Sequence, residues 1–223
     1  RATQSRILIG MSAKPRYLLL APHNDDETLF AAYTIQRYQP HVAIVLRPER
    51  QADLPAEIRA TSGTRRSETE RAMRHFGYLP VGMLAPWLTA TSATWEQWST
   101  SSDIAPKFGE IVDEMRTFDR LHNPDHVWAP AIEEGGHEQH NLVGEAAIEV
   151  FGADHVTGYM TYRRGFGRST SELEVLPRGA DDVAAKLHAM AEYRSQIALA
   201  STRPWFTDMG LREYIDPGTA PPP

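Results

Sequence analysis

The sequence predicts an α/β protein in which helices cover both faces of a mostly parallel sheet. Three observations lead there. Short continuous apolar runs recur: "RYLLLAP" (16–22), "HVAIVLR" (41–47) and "DHVWAP" (125–130), each ending at or beside a proline, as buried strands do. Between them lie segments with helical spacing of apolar residues, and such alternation gives a Rossmann-like three-layer sandwich. The chain has 223 residues, 41% hydrophobic with five tryptophans, which suits one domain with a sizeable core.

The elements follow in order. After the first strand a helix is expected from Asp25 or Asp26 to about Arg37, because acidic residues favour the first turn. The strand 41–47 leads through a polar loop to a charged helix, Gly63 to Phe76, that Gly77 ends. "VGMLAP" (81–86) reads as a short strand, and 87–102 as a Ser/Thr/Trp-rich loop. A helix from Ile104 to Phe118 presents Ile104, Phe108, Ile111, Val112, Met115 and Phe118 on one face. The strand 125–130 precedes a helix from Gln139 to Val150. "VTGYMTY" and "ELEVLP" read as strands around a "RRGFG" loop, and 180–200 as the last long helix. Residues 1–10 precede the first methionine and are read as an expression scar or a disordered leader. Residues 11–215 are expected to form a single domain, and 216–223 a proline-rich tail.

Composition excludes several classes. A net charge of −6 leaves no broad basic surface for nucleic acid. The absence of cysteine removes disulfides and thiolate metal sites and leaves the redox compartment open. No apolar run approaches the ~20 residues of a membrane helix. No signal peptide is visible, so the expected location is the bacterial cytoplasm.

The chemistry concentrates after two of the strands. "LLLAPHNDDETLF" (18–30) sets Asp25, Asp26 and Glu27 in a row, an arrangement that repels itself when desolvated unless a cation is near. His23 and Asp26 are three apart across a strand-to-helix turn. "EEGGHEQHNLVGEAAIEVF" (133–151) supplies His137 and His140, also three apart before a helix. Taken singly these pairs are common by chance. Both, however, fall at the carboxyl ends of expected parallel strands, where such sheets bind ligands. Two histidines and one carboxylate make a zinc site with a position left for water, whose pKa the metal lowers. The same set is also the facial triad of non-haem iron oxygenases.

"APHNDDETLF" resembles the signature of the PIG-L/LmbE-like deacetylase family, A/P-H-P-D-D-E, and "GGHEQHNLVGEAAIEVF" is similar to its H-x-D-H segment. "RRSETERAMRHFG" (65–77) resembles its R-x-x-E helix, and "KLHAMAEYRSQI" (186–197) its C-terminal K…H-x-S-Q segment. The likeness runs from about Arg16 to Ile197. It implies an LmbE-like fold and a zinc-dependent N-deacetylase acting on an N-acylated amino sugar, such as an N-acetylglucosamine conjugate. Fe(II) or another divalent ion is the alternative metal. It further implies His23, Asp26 and His140 as metal ligands and Asp25 as general base towards a metal-bound water. His137 would stabilise the oxyanion in protonated form or protonate the leaving amine, and Arg65 would bind substrate. Glu27 and Glu68 are expected to support the ligands from behind.

Three positions depart from the family pattern: Asn24 replaces proline, Gln139 the aspartate of H-x-D-H, and Tyr193 the C-terminal histidine. Gln139 removes a carboxylate that raises the pKa of His137, and Tyr193 weakens any role at that position. Ser195 and Gln196 read as structural. Trp87, Trp95 and Trp98 suit sugar stacking but more often form satellite cores. Glu133 or Glu134 lies near enough in sequence to support the site. A non-catalytic glycan-binding module on the same fold is the remaining alternative to an enzyme, and no G-x-G-x-x-G supports a nucleotide site.

Overall fold

The protein's structure, a computed structural model, describes residues 15–48, 65–78, 94–95, 108–162, 173–207 and 209–216. The elements are β1 (Tyr17–Ala21), α1 (Asp26–Tyr38), β2 (His41–Ile44), β3 (Arg47–Pro48), α2 (Arg65–Arg74), β4 (Thr94–Trp95), α3 (Phe108–His122), β5 (His126–Pro130), α4 (Glu138–Phe151), β6 (Val156–Tyr159), β7 (Leu173–Glu174), α5 (Ala180–Ala191), α6 (Arg194–Ile197) and β8 (Tyr214–Ile215). Three short 3₁₀ turns complete them. The leader 1–10, the strand expected at 81–86, Trp87, Trp98, the "RRGFG" loop and the tail from 217 lie outside the described residues, as do the side chains of Arg65 and Trp95.

The main sheet has the order β2-β1-β5-β6-β8-β7. β2, β1, β5 and β6 run parallel, with Leu19 in register with Val42 on one side and Trp128 on the other. The fold is therefore the expected α/β sandwich on a mostly parallel sheet. Along β1 the side chains alternate: Leu18 and Leu20 pack under α3 and α4, while Leu19 and Ala21 pack against α1, α2 and α5. This period of two inside an unbroken apolar run is what a strand covered on both faces requires. The chain leaves β1 towards β2 and leaves β5 towards β6, so the order reverses between β1 and β5. A crevice opens at the carboxyl ends of strands at such a point.

Two expectations change. The helix expected over 180–200 breaks after Ala191: Glu192 and Tyr193 turn the chain into the short α6. The sheet also gains an antiparallel edge, β8 against β6 and β7 against β8. The two residues of β8 are too few to show a period.

Within α1 the ladder is interrupted at Ala31 (φ −140°, ψ 15°). The Tyr33 N–H donates to both carboxylate oxygens of Glu213 at 2.9 and 3.0 Å. The Leu29 carbonyl, its usual i−4 partner, accepts instead from Lys186 Nζ at 2.9 Å. Lys186 and Glu213 meet at 2.6 Å with no exposed side-chain surface. Burial opposes both charges, pushing Lys186 down and Glu213 up, and their mutual attraction offsets part of it. An ion pair thus inserts into the helix and satisfies both groups that the kink frees. Close packing also fixes α4: a Cβ on Gly144 would lie 2.4 Å from the Pro130 carbonyl, so only glycine lets this helix approach β5.

Two predictions arise here. Lys186→Met should lower the unfolding free energy by about 3–5 kcal/mol, because it strands a buried carboxylate; adding Glu213→Gln should recover part of the loss, both read by urea denaturation. His126, bonded to Thr157 at 2.8 Å, is pushed from its ordinary 6.5 down to about 4 by burial and by the charge of His155. A base with a lowered folded-state pKa costs stability as pH falls from its unfolded value to its folded one. The melting temperature should therefore drop more steeply between pH 6.5 and about 4 in the wild type than in His126→Gln.

Candidate metal centre

β1 ends at Ala21, and the chain turns through Pro22–Asp25 into α1. Asp25, the residue before the helix, has φ 125° and ψ −29°. A residue with a Cβ is strained there by about 1–3 kcal/mol and stays only when its surroundings hold it. The Asp25 N–H donates to Glu27 Oε2 at 2.9 Å, and its carbonyl accepts from the N–H groups of Thr28 and Leu29. The result buries Asp25, Asp26 and Glu27 together.

Asp26 Oδ2 accepts the His23 N–H at 2.9 Å. The same oxygen lies 3.1 Å from His23 Nδ1 and 3.2 Å from His140 Nε2, and the two ring nitrogens are 3.3 Å apart. The far nitrogen of each ring is engaged. His23 Nε2 meets the amide oxygen of Gln139, and His140 Nδ1 meets Thr161 Oγ1 at 2.8 Å. An amide oxygen only accepts, so His23 carries a proton on Nε2, and in the neutral ring the Nδ1 lone pair turns inward. Anchoring the outer nitrogen in this way is how ligand imidazoles are oriented.

The triangle fits a divalent ion. A tetrahedral ion bound at about 2.0–2.1 Å needs its donors about 3.3 Å apart. Asp26 Oδ1 is buried with no hydrogen-bond partner among the described residues. Burial alone would raise the Asp26 carboxyl, but the charges of His140 and His23 and their hydrogen bonds outweigh it and hold the group well below the usual carboxylate range. Among the described residues His23, Asp26 and His140 form the cluster able to hold a metal.

His137 begins α4 as its N-cap, and its Nδ1 accepts the Gln139 N–H at 3.3 Å. Its ring stacks on His140 at 4.6 Å and meets His23 edge-on at 5.5 Å. Burial and the charges of His140 and His23 push it down to about 3. Burial thus works against the protonated His137 expected from the sequence, and because Nδ1 accepts from Gln139 a neutral ring carries its proton on Nε2. The Gln139 side chain serves His23, and only its backbone touches His137.

The remaining residues fall behind this triangle. Glu27 Oε1 accepts from Thr28 at 3.0 Å and from the Tyr193 hydroxyl, and burial raises the Glu27 carboxyl to about 7 against these bonds. Arg65 opens α2. Glu68 on the same helix accepts from the N–H of Ser195 at 2.9 Å and its hydroxyl at 2.5 Å, which fastens α6 to α2. Glu133 Oε1 accepts the Thr161 N–H at 3.2 Å, and Thr161 in turn holds His140. Tyr162, at φ 23°, faces His140 at 5.2 Å and is backed by Phe30 and Trp205. Thr161 escaped sequence reasoning, because nothing local ties it to a residue some twenty positions away. Gln139 was visible as a departure, but its partner was not.

A structure of a deacetylase triple mutant from the teicoplanin biosynthetic pathway matches with a TM-score of 0.58 at 19% identity, covering 86% of this chain and 87% of that one. The N,N'-diacetylchitobiose deacetylase of Pyrococcus horikoshii matches at 0.55 and 19%, covering 93% and 85%. GalB, the 4-carboxy-2-hydroxymuconate hydratase of Pseudomonas putida KT2440, matches at 0.51 and 14%, covering 87% and 84%. At these identities the likeness is one of fold, and GalB shows that the fold also carries a hydratase. No curated protein matches the chain. The family model described as PIG-L, GlcNAc-PI de-N-acetylase, matches residues 18–151, a span that contains β1, the acidic turn, β5 and both histidines of α4; the chain belongs to this family.

Proposed function

We propose that the protein is a metal-dependent amide hydrolase that removes an acyl group, most simply acetyl, from the nitrogen of an amino sugar or sugar conjugate. The observation that carries this reading is the His23–Asp26–His140 triangle, closed on Asp26 Oδ2, with the other carboxylate oxygen, Oδ1, buried and without a hydrogen-bond partner among the described residues. Membership of a family described as a de-N-acetylase supports the reaction and substrate class, and the fold likeness to deacetylases of a teicoplanin pathway and of diacetylchitobiose is consistent with it. Zinc suits the donor set best, and Fe(II) is its nearest competitor.

A divalent ion held by these three residues supplies a Lewis acid that acidifies water and polarises the acyl carbonyl. The protein does the rest. Asp25 takes one proton from the attacking water as its oxygen bonds to the acyl carbon. The neutral His137 offers its Nε2–H to the developing oxyanion. The carbon–nitrogen bond then breaks and Asp25 passes its proton to the nitrogen, which leaves as the free amine beside the carboxylic acid. Arg65, at the start of α2, is assigned to substrate binding through its place in the family motif. No helix among the described residues is long and apolar enough to cross a membrane.

Elemental mass spectrometry of metal-reconstituted protein should find about one divalent ion per chain, and His140→Ala should lose it. Equal content in both proteins would remove the site. Amine release from a panel of N-acetylated sugars should then fall by about 10²–10⁴-fold in Asp25→Asn, with metal content unchanged. Full turnover in that variant would exclude Asp25 as the base. Saturable glycan binding with no amine release would assign a binding module instead.

A further inference from the structure

Tyr193 stands where the family segment carries histidine, and it has no exposed surface. It sits in the bend between α5 and α6. Its hydroxyl donates to Glu27 Oε1 and lies 3.1 Å from Thr69 Oγ1 and 3.4 Å from Thr28 Oγ1. Thr69 also accepts from Asn24 Nδ2 at 2.9 Å, so the hydroxyl is held from two further sides. The opposite oxygen of Glu27 accepts the Asp25 N–H. A continuous path of hydrogen bonds therefore runs from the C-terminal bend through one buried carboxylate to a residue whose φ of 125° needs outside support.

We propose that Tyr193 is a positioning residue that acts through Glu27 to hold Asp25 in its left-handed conformation. That conformation sets where the Asp25 side chain leaves the backbone, one residue before a metal ligand. Asp26 has its own supports, the His23 N–H and two imidazoles, and does not depend on this path. Removing the Tyr193 hydroxyl leaves Glu27 with Thr28 as its remaining side-chain donor. The carboxylate is then free to turn towards Thr28 and to release the Asp25 N–H, and Asp25 relaxes to negative φ.

The consequence for turnover rests on the deacetylase reading, whereas the conformational consequence does not. The experiment is a crystal structure of metal-loaded Tyr193→Phe beside the wild type, with metal content, kcat and KM for both and for Tyr193→His. The expected result is a negative φ at Asp25 and loss of its bond to Glu27, at unchanged metal content. Where the wild type releases amine, kcat should fall by about tenfold to a hundredfold with KM unaltered. Tyr193→His, which keeps a ring N–H, should recover part of that loss. Asp25 unmoved in Tyr193→Phe, or wild-type kcat in that variant, overturns the proposal. A wild type without turnover whose Tyr193→Phe structure still shows Asp25 displaced refutes the deacetylase reading and supports the positioning role. Glu27→Gln covers a poorly folding Tyr193→Phe, since one amide oxygen cannot fill the places of two carboxylate oxygens; an unmoved Asp25 there overturns the proposal equally.

Discussion

Asp26 is a carboxylate with no access to water, flanked in sequence by two more acids that are themselves buried. Desolvating one such charge costs several kcal/mol even after relaxation. Its partners among side chains are two imidazole nitrogens, and Gln139 turns one of them inward as a lone pair rather than a proton. With that ring neutral, a carboxylate oxygen and an imidazole lone pair face one another, an arrangement that a positive charge between them stabilises. The geometry of β1, α1 and α4 is arranged to meet that condition, and the switch point between β1 and β5 is where two strand ends bring the donors within reach of one another.

The helix that carries Asp26 is buried along almost its whole length, which leaves its backbone no water to fall back on at a kink. The Lys186–Glu213 pair fills that gap from two C-terminal elements, α5 and the segment entering β8. Tyr193, between α5 and α6, reaches the first turn of the same helix. Glu68 on α2 closes the ring by holding Ser195. The C-terminal third of the described chain therefore contributes none of the three candidate ligands, yet it fixes the helix that presents one of them. Its elements are short and meet the rest of the chain through buried polar contacts, where satisfied networks give a single arrangement at the risk of a large cost when one member is lost.

How much of this the sequence revealed follows from which signals are local. The unbroken apolar run of "YLLLA", the acids opening α1 and the helix end at Gly77 are all properties of a few adjacent residues, and each was readable. The two histidine pairs were readable as candidates because both follow strands, and the family likeness then singled out His140 over His137 as the ligand. The break at Glu192–Tyr193 was not readable: the stretch continues helix-compatible residues, and the bend is set by Glu68 capping α6 from another helix. The antiparallel edge strand β8 was missed for the same reason, as two residues gain strand geometry only from the partners beside them. The role of Thr161 depends on β6 lying next to β5, and no spacing within the chain encodes it.

Gln139 shows how a departure from a motif can retain its mechanical part while changing its electrical part. Its side chain fixes the tautomer of His23, and its backbone N–H fixes that of His137, so one residue orients both rings. An aspartate there would accept the same proton from a histidine. It would also add a fourth negative charge to a turn that already buries Asp25, Asp26 and Glu27. A charged acceptor behind a ligand imidazole raises its basicity and weakens the electron-withdrawing power of the ion it holds. The neutral amide does the reverse, and it leaves His137 without a charge to stabilise an imidazolium. Under the proposed reading, polarisation of the carbonyl would fall more heavily on a bound ion, and His137 would serve as a fixed hydrogen-bond donor rather than a store of charge.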